Sequence, residues 1–282
     1  MSLTLPQMLF LHFIAEREDA RVAKEHGIYP HTCDPIIQSF KFCNINREHD
    51  RVTRWVKEHV RDNPKINGSK SCLVMSLAIA RVFNHPPTLQ QILPMRSWAV
   101  MRTKVAELKK EGKVFRGAYK MPAHGSGGMN VSSADYFING LQQIGAMDFE
   151  KCVTLESVAL KIQDARGFGP FLANQVTTDL RYTKHFKDAP DWETFVLCGP
   201  GTKKGLCRFF QKPVRKGGTQ NQAAIQLREA RAILAPHLKS PFNEYFKDPN
   251  NVTNSFCEFS KYARTQDGGS PPKTKYTPYP EN

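Results

Sequence analysis

The chain has 282 residues, 40% of them hydrophobic, enough to bury a real core in one large domain or two small ones. Forty lysines and arginines against 26 acidic residues leave a formal charge of +14, which points to a polyanionic partner, nucleic acid or an anionic membrane, and says nothing about fold. No apolar run approaches the ~20 residues of a membrane span, and the N-terminal segment has no basic leader and turns acidic at once, unlike a secretory signal. Seven cysteines, scattered and never in C-x-x-C spacing, argue for reduced thiols in the cytoplasm and against a structural zinc or an iron–sulfur cluster.

In chain order, Thr4-Leu5-Pro6 opens a helix that runs to about Lys24 and stops at Gly27. A short helix follows Asp34. Between Phe40 and Val60, Val52, Trp55, Val56 and Val60 keep a helical stripe, which would set Arg47, Asp50 and Arg54 on a neighbouring helical face. Ser69 to Val82, SKSCLVMSLAIARV, is an apolar helix expected at the centre of the core. Pro86-Pro87 breaks the chain, and short helices run on to about Lys110. Gly112 to Ala123 has β-branched and aromatic residues at strand-like spacing, room for one small β-hairpin. His124 to Met129, HGSGGM, reads as a flexible loop; Ser132 and Ser133 then cap a helix to about Gly145. Thr154 with Ser157 opens the next helix, and Gln220 to His237 forms another. From Asp267 the Pro/Gly-rich basic tail reads as extended or disordered. The expectation is a mainly α protein: one helical domain over 1–266 with its core at about 40–262, and a tail over 267–282.

The stretch around which these helices are organised is Ser157 to Lys184. Apolar-periodic residues precede and follow Gly167-Phe168-Gly169, and Pro170 stands where a helix tolerates it, in the first turn. Two glycines around one apolar residue permit a tight turn and let backbone N–H groups approach a ligand. A helix opening there offers donors and partial positive charge to an anion, as a helix-hairpin-helix offers them to a nucleic-acid phosphate. An ordinary corner between two helices would use the same glycines only to bend.

Other candidate chemistry lies in three places. Gly199-Pro200-Gly201-Thr202-Lys203-Lys204-Gly205 combines turn glycines with paired lysines, suited to a phosphate or to a plain basic surface turn. It is no Walker A loop, since Leu206 follows Gly205 and the spacing of Gly, Lys and Ser/Thr is wrong. Asn44, Arg47 and Asp50 could form a buried polar network or a substrate clamp in which the carboxylate holds the guanidinium in a fixed fork. Asp179, Asp188 and Asp191 follow the glycine turn, where a carboxylate could orient or deprotonate a nucleophile, or simply be solvated. His49, His124 and His185 have no metal-ligand spacing, so no metal site is expected.

Four segments occur in one order in a known family. FKFCNINREHDRVT resembles its Asn-x-x-Arg-x-x-Asp signature, GFGPFLANQVTTDLRY its hairpin and following helix, WETFVLCGPGTKKGL its Gly-Pro-Gly element with basic residues, and FCEFSKY its Cys-Glu-Phe-x-Lys-Tyr. The chain thereby resembles the α-glutamyl/putrescinyl thymine pyrophosphorylases, bacteriophage amino-acid:DNA transferases related in fold to helix-hairpin-helix DNA glycosylases. The same helical unit occurs in phage 5-hydroxymethyluracil DNA kinases, joined there to a nucleotide-binding part not found in this sequence. Ser260 departs from the pattern, where an acidic residue is expected.

The resemblance implies a replacement on double-stranded DNA in the host cytoplasm. An amino acid or polyamine displaces the phosphate or pyrophosphate of a phosphorylated 5-hydroxymethyluracil, made by a hydroxymethyluracil DNA kinase as functional partner. Catalytic roles would fall to Asp179 or Asp191 as general base and to Arg47 with Asp50. Phosphate and substrate would be held by Asn44, Gly199, Gly201, Lys203, Lys204, Glu258, Lys261 and Tyr262, and DNA by Gly167, Phe168, Gly169 and Gln175. No membrane is implied and no cofactor is fixed; a divalent cation stays open. Two competing functions are a glycosylase excising a modified base, for which the cysteines offer no cluster, and a non-catalytic DNA-binding partner of the kinase.

Overall fold

The computed structural model describes residues 2–112, 114–115, 133–212 and 219–276. The flexible loop expected at 124–129, nearly all of the hairpin expected at 112–123 and the last residues of the tail lie outside them. The described part of the hairpin stretch continues from a helix end: Val114 is buried, its carbonyl accepts from the Thr88 hydroxyl at 3.0 Å, and the Phe115 ring stacks on Phe83.

The protein is mainly helical, and among the described residues no strand forms beyond one isolated antiparallel bridge. In chain order the α-helices are α1 (Leu5–Glu25), α2 (Pro35–Ser39), α3 (Arg51–Val56), α4 (Lys70–Phe83), α5 (Pro86–Ile92), α6 (Trp98–Glu111) and α7 (Ser133–Gly145). They continue with α8 (Leu155–Gln163), α9 (Pro170–Leu180), α10 (Pro200–Phe209), α11 (Gln220–Leu234), α12 (Phe242–Tyr245) and α13 (Pro249–Gln266). Six of them begin at a side-chain cap visible in the sequence. The side chains of Asp34, Ser69, Ser97, Thr154, Thr219 and Asp248 each accept a first-turn N–H, filling donors a helix leaves unpaired.

The chain gathers into two compact units, Met1–Asp50 with Val196–Asn282, and Arg51–Phe195, so the stretch read as one domain spans both. The first is built on α1, α10, α11 and α13 around an aromatic centre. Phe10 of α1 stacks on Phe256 at 4.4 Å between ring centroids and meets Phe209 and Phe259 edge-on. The tail returns to this unit: Lys41 N–H donates to the Thr274 carbonyl and Tyr276 N–H to the Ser39 carbonyl, at 3.0 and 2.9 Å.

The second unit is organised on α4, where Leu73 through Phe83 are almost all buried because α7 and α9 pack on it. Val52, Val56 and Val60 are buried as their stripe predicts, although the helix loosens into a π turn over Lys57–Arg61. The shared helical face predicted for Arg47, Asp50 and Arg54 does not form. Asn46 caps a separate 3-10 turn over Arg47–His49, and Asp50 has an extended backbone (φ −68°, ψ 134°) before α3 begins.

Candidate functional site

Residues 40–50 run across α13 in the first unit, anchored by Phe42 and Ile45 in the core. The facing stripe of α13 carries Asn251, Asn254, Glu258 and Lys261, spaced three, four and three residues apart and therefore on one helical face. The Cys43 N–H donates to Glu258 Oε2 at 3.3 Å, and the next amide, Asn44 N–H, donates to Asp50 Oδ1 at 3.2 Å. Arg47 Nε pairs with Asp50 Oδ2 at 2.9 Å, Arg47 Nη1 donates to Asn254 Oδ1 at 2.9 Å, and the Arg47 amide donates to Asn251 Oδ1 at 3.0 Å. Lys261 Nζ sits 2.6 Å from Glu258 Oε1. Beneath the loop, Arg17 of α1 donates to the Asn44 side-chain oxygen at 2.5 Å and to the Phe42 carbonyl at 3.3 Å.

Two sequence motifs, one around residues 44–50 and one around 257–262, thus close into a single network tied through adjacent amides. Glu258 is buried, whereas Arg47, Asp50 and Lys261 keep 19%, 22% and 38% of their side-chain surface exposed. The acids lie under or beside the cations and hold them at the surface in fixed positions, a geometry suited to an incoming anion. Burial pulls the Lys261 ammonium down, but Glu258 outweighs it and keeps the amine protonated well above the usual lysine value. Burial, then Glu258, pushes the Cys43 thiol up to about 12 and also raises Cys257. Both sulfurs therefore stay protonated at neutral pH and are poor nucleophiles. Tyr262 points elsewhere: it is buried against Phe13 and donates to Asp34 Oδ2 at 2.6 Å, fastening α13 to the cap of α2.

Gly199-Pro200-Gly201-Thr202-Lys203-Lys204-Gly205 is not a turn but the opening of α10, with Gly199 as N-cap and Pro200 in the first turn. Its helical glycines are packing residues. A Cβ on Gly205 would overlap the Phe256 carbonyl oxygen, and one on Gly201 the Cys257 sulfur, so α10 and α13 touch nearly backbone to backbone. Thr202 Oγ1 secures the contact by donating to the Thr253 carbonyl at 3.0 Å. Lys203 is partly buried near Cys198, and Lys204 is exposed.

In the second unit, α8 and α9 pack together through the glycine turn. Gly167 has φ +85°, the left-handed region that its neighbours could not adopt cheaply, Phe168 is buried, and Gly169 caps α9 with open space where a Cβ would stand. Gln175 is partly buried on α9. Asp179 is sealed in the interior: both oxygens meet Arg81 of α4 at 2.5 Å, and Arg81 also donates to Thr53 Oγ1. Asp191 accepts the Leu155 and Glu156 amides at 2.9 and 2.8 Å, so its two oxygens cap α8. Asp188 is exposed and pairs with Lys187.

Sequence motifs alone did not bring in Asn251, Asn254 and Arg17. The signal for the asparagines was present, a polar stripe in helical register with Glu258 and Lys261. Nothing local marks Arg17, whose partners lie 25 and 27 residues away. Among the described residues no group of three or more His, Cys, Asp or Glu could hold a metal ion, and no helix is long and apolar enough to cross a membrane.

No solved structure matches this chain. A 5-hmdU DNA kinase of Bacillus phage SP10 is 26% identical over 233 residues, which cover 74% of this chain and 36% of the relative, so the chain accounts for little more than a third of that protein's length. The family model described as "5-hmdU DNA kinase, helical domain" matches residues 6–269, and the chain belongs to that family.

Proposed function

We propose that the protein modifies 5-hydroxymethyluracil in DNA, and that it does so by replacing a phosphate or pyrophosphate on the base's hydroxymethyl group with an amino acid or polyamine. The coarser half rests on the match over residues 6–269 and on the phage relative's printed role. The observation that carries the finer half is the network in which residues 43–50 and the Glu258–Lys261 face meet, presenting two clamped cations. In this reading the base leaves the stack and enters the site, as bases do in enzymes that act on them. The nucleophile's lone pair forms the new bond to that carbon as the carbon–oxygen bond breaks, and the phosphate departs with the electron pair. Arg47 and Lys261 stabilise its charge, Lys203 and Lys204 add to the cationic field, and Asn44 orients the loop. Asp50 takes the amine's proton: it is the partly exposed carboxylate beside the clamped cations, whereas Asp179 is sealed under Arg81 and Asp191 caps α8. The turn Gly167-Phe168-Gly169, with Phe168 as its buried anchor, and Gln175 on the helix after it are assigned to the DNA backbone, as the resemblance to helix-hairpin-helix DNA glycosylases implies.

The test is nucleoside mass spectrometry of phosphorylated hydroxymethyluracil DNA incubated with the protein and a mixed pool of amino acids and polyamines, with and without a divalent cation. A new amine-bearing nucleoside is expected, reduced about 10²-fold by Arg47→Lys, which keeps the charge and loses the fork. Unaltered phosphorylated nucleoside in every arm would rule the transferase out, and abasic sites would mean base excision. A second reading follows from the relative's name: a helical unit that recognises the modified base for a kinase active site. It predicts binding to hydroxymethyluracil DNA with no product until a kinase is supplied.

A further inference from the structure

A cleft of about 360 Å³ opens in the first unit, on residues that the site above does not use. Arg228 and Arg231, one helical turn apart on α11, line one side, and Lys247 with Asn243 lines the other. Leu238 and Phe246 give it an apolar floor, and Phe246 is itself held in the aromatic core beside Phe10. Arg231 Nη2 donates to the Lys247 carbonyl at 3.2 Å, so the two walls are fixed to each other. The acid beside the cleft is Glu244, which pairs with Lys247 at 2.7 Å through side chains that are 61% and 63% exposed. Such a solvated pair is weak, and an anion of higher charge can displace it.

Three cations and an amide around an apolar floor, in a volume fit for a small ligand, match one chemistry: a phosphate joined to a flat, weakly polar body. We propose that this cleft binds a nucleotide phosphate, the guanidiniums and the ammonium taking the phosphate oxygens while the base or sugar lies on Phe246 and Leu238. A free mononucleotide and a nucleotide within a DNA strand present the same group. The cleft is joined to the candidate site by a short chain of contacts: Tyr245, between Asn243 and Phe246, accepts from Asn251 Nδ2, and Asn251 accepts from the Arg47 amide. A nucleotide held here would sit on the element that buttresses Arg47. The inference does not depend on the transfer reaction, because it is read out as binding.

The experiment is calorimetric titration of the full chain with thymidine 5′-monophosphate, with thymidine, and with a short single-stranded oligonucleotide. Two variants of exposed residues are compared with the wild type, Arg228→Ala/Lys247→Ala, which removes charge, and Ala232→Leu, which fills the cleft. Binding of the monophosphate but not of thymidine, weakened about tenfold or more in the charge variant, is expected, since each charge-assisted hydrogen bond contributes at least that much. Ala232→Leu should weaken it too while melting like the wild type. If only the oligonucleotide binds, and both variants weaken it, the ligand is strand phosphate. If neither phosphate ligand binds, or the variants leave binding unchanged, the proposal is overturned, whatever the outcome of the transfer assay.

Discussion

At Gly205 the nearest neighbour of an added Cβ is a backbone oxygen of α13, which cannot swing aside as a flexible side chain would. Gly205→Ala should therefore cost about 1–3 kcal/mol in denaturant unfolding, as overpacking does, and more if α10 is forced away. Gly199→Ala is the control: the space there is open and φ is −73°, so the expected loss is under about 1 kcal/mol. Equal effects at the two positions would show that α10 does not pack as described. Asp179 gives the second residue-scale prediction. Asp179→Asn leaves the buried Arg81 guanidinium without its counter-charge, and removing one partner of such a pair costs about 3–5 kcal/mol. A variant that melts with the wild type would mean that the pair contributes little.

Single elements show why parts of the site were readable and parts were not. No helix is expected from the sequence over Pro249–Gln266, although once α13 forms, residues three and four apart share a face and Glu258 and Lys261 become neighbours. That the partner of Glu258 would be the amide of Cys43 was not legible, because no local rule carries across 215 residues. The basic Gly-Pro-Gly segment misled in the same way. Gly and Pro punctuate turns and also open helices, and only the neighbouring helix decides between the two. The tail yields a prediction at this scale. His31 is buried, contacts the Tyr276 hydroxyl, and has its pKa lowered below the ordinary 6.5, first by burial and then by Lys24. The unfolded chain thus takes up a proton at higher pH than the folded one, and stability should fall as pH drops below about 6.5. His31→Gln should flatten that dependence, measured as hydrogen exchange at the Tyr276 and Lys41 amides between pH 7 and 5. An unchanged profile in the variant would remove His31 as the cause.

On the scale of the whole molecule, the +14 charge remains the broadest statement about partners. If the chain holds DNA through phosphates, its affinity for duplex DNA should fall steeply with salt, by about 10³-fold or more between 50 and 200 mM for six or more phosphate contacts. A nearly flat salt dependence in a fluorescence-anisotropy titration would separate the charge from DNA binding. The division at Asp50 and Phe195 also matters here, since three of the four motifs lie wholly or mainly in the first unit and the glycine hairpin lies in the second.

The sequence by itself determined the helices from α1 to α9 and α11, with many of their caps and apolar faces, because these depend on hydrogen bonds and side-chain spacings within a turn or two. It also determined the charge. The tertiary structure alone decided that Asp179 would be locked onto an arginine 98 residues away, that two glycines would serve as a helix contact, and that the residue 44–50 loop would meet Glu258. Those outcomes are set by which surfaces find each other in packing, a choice made among residues far apart in the chain and so invisible to any short window of it.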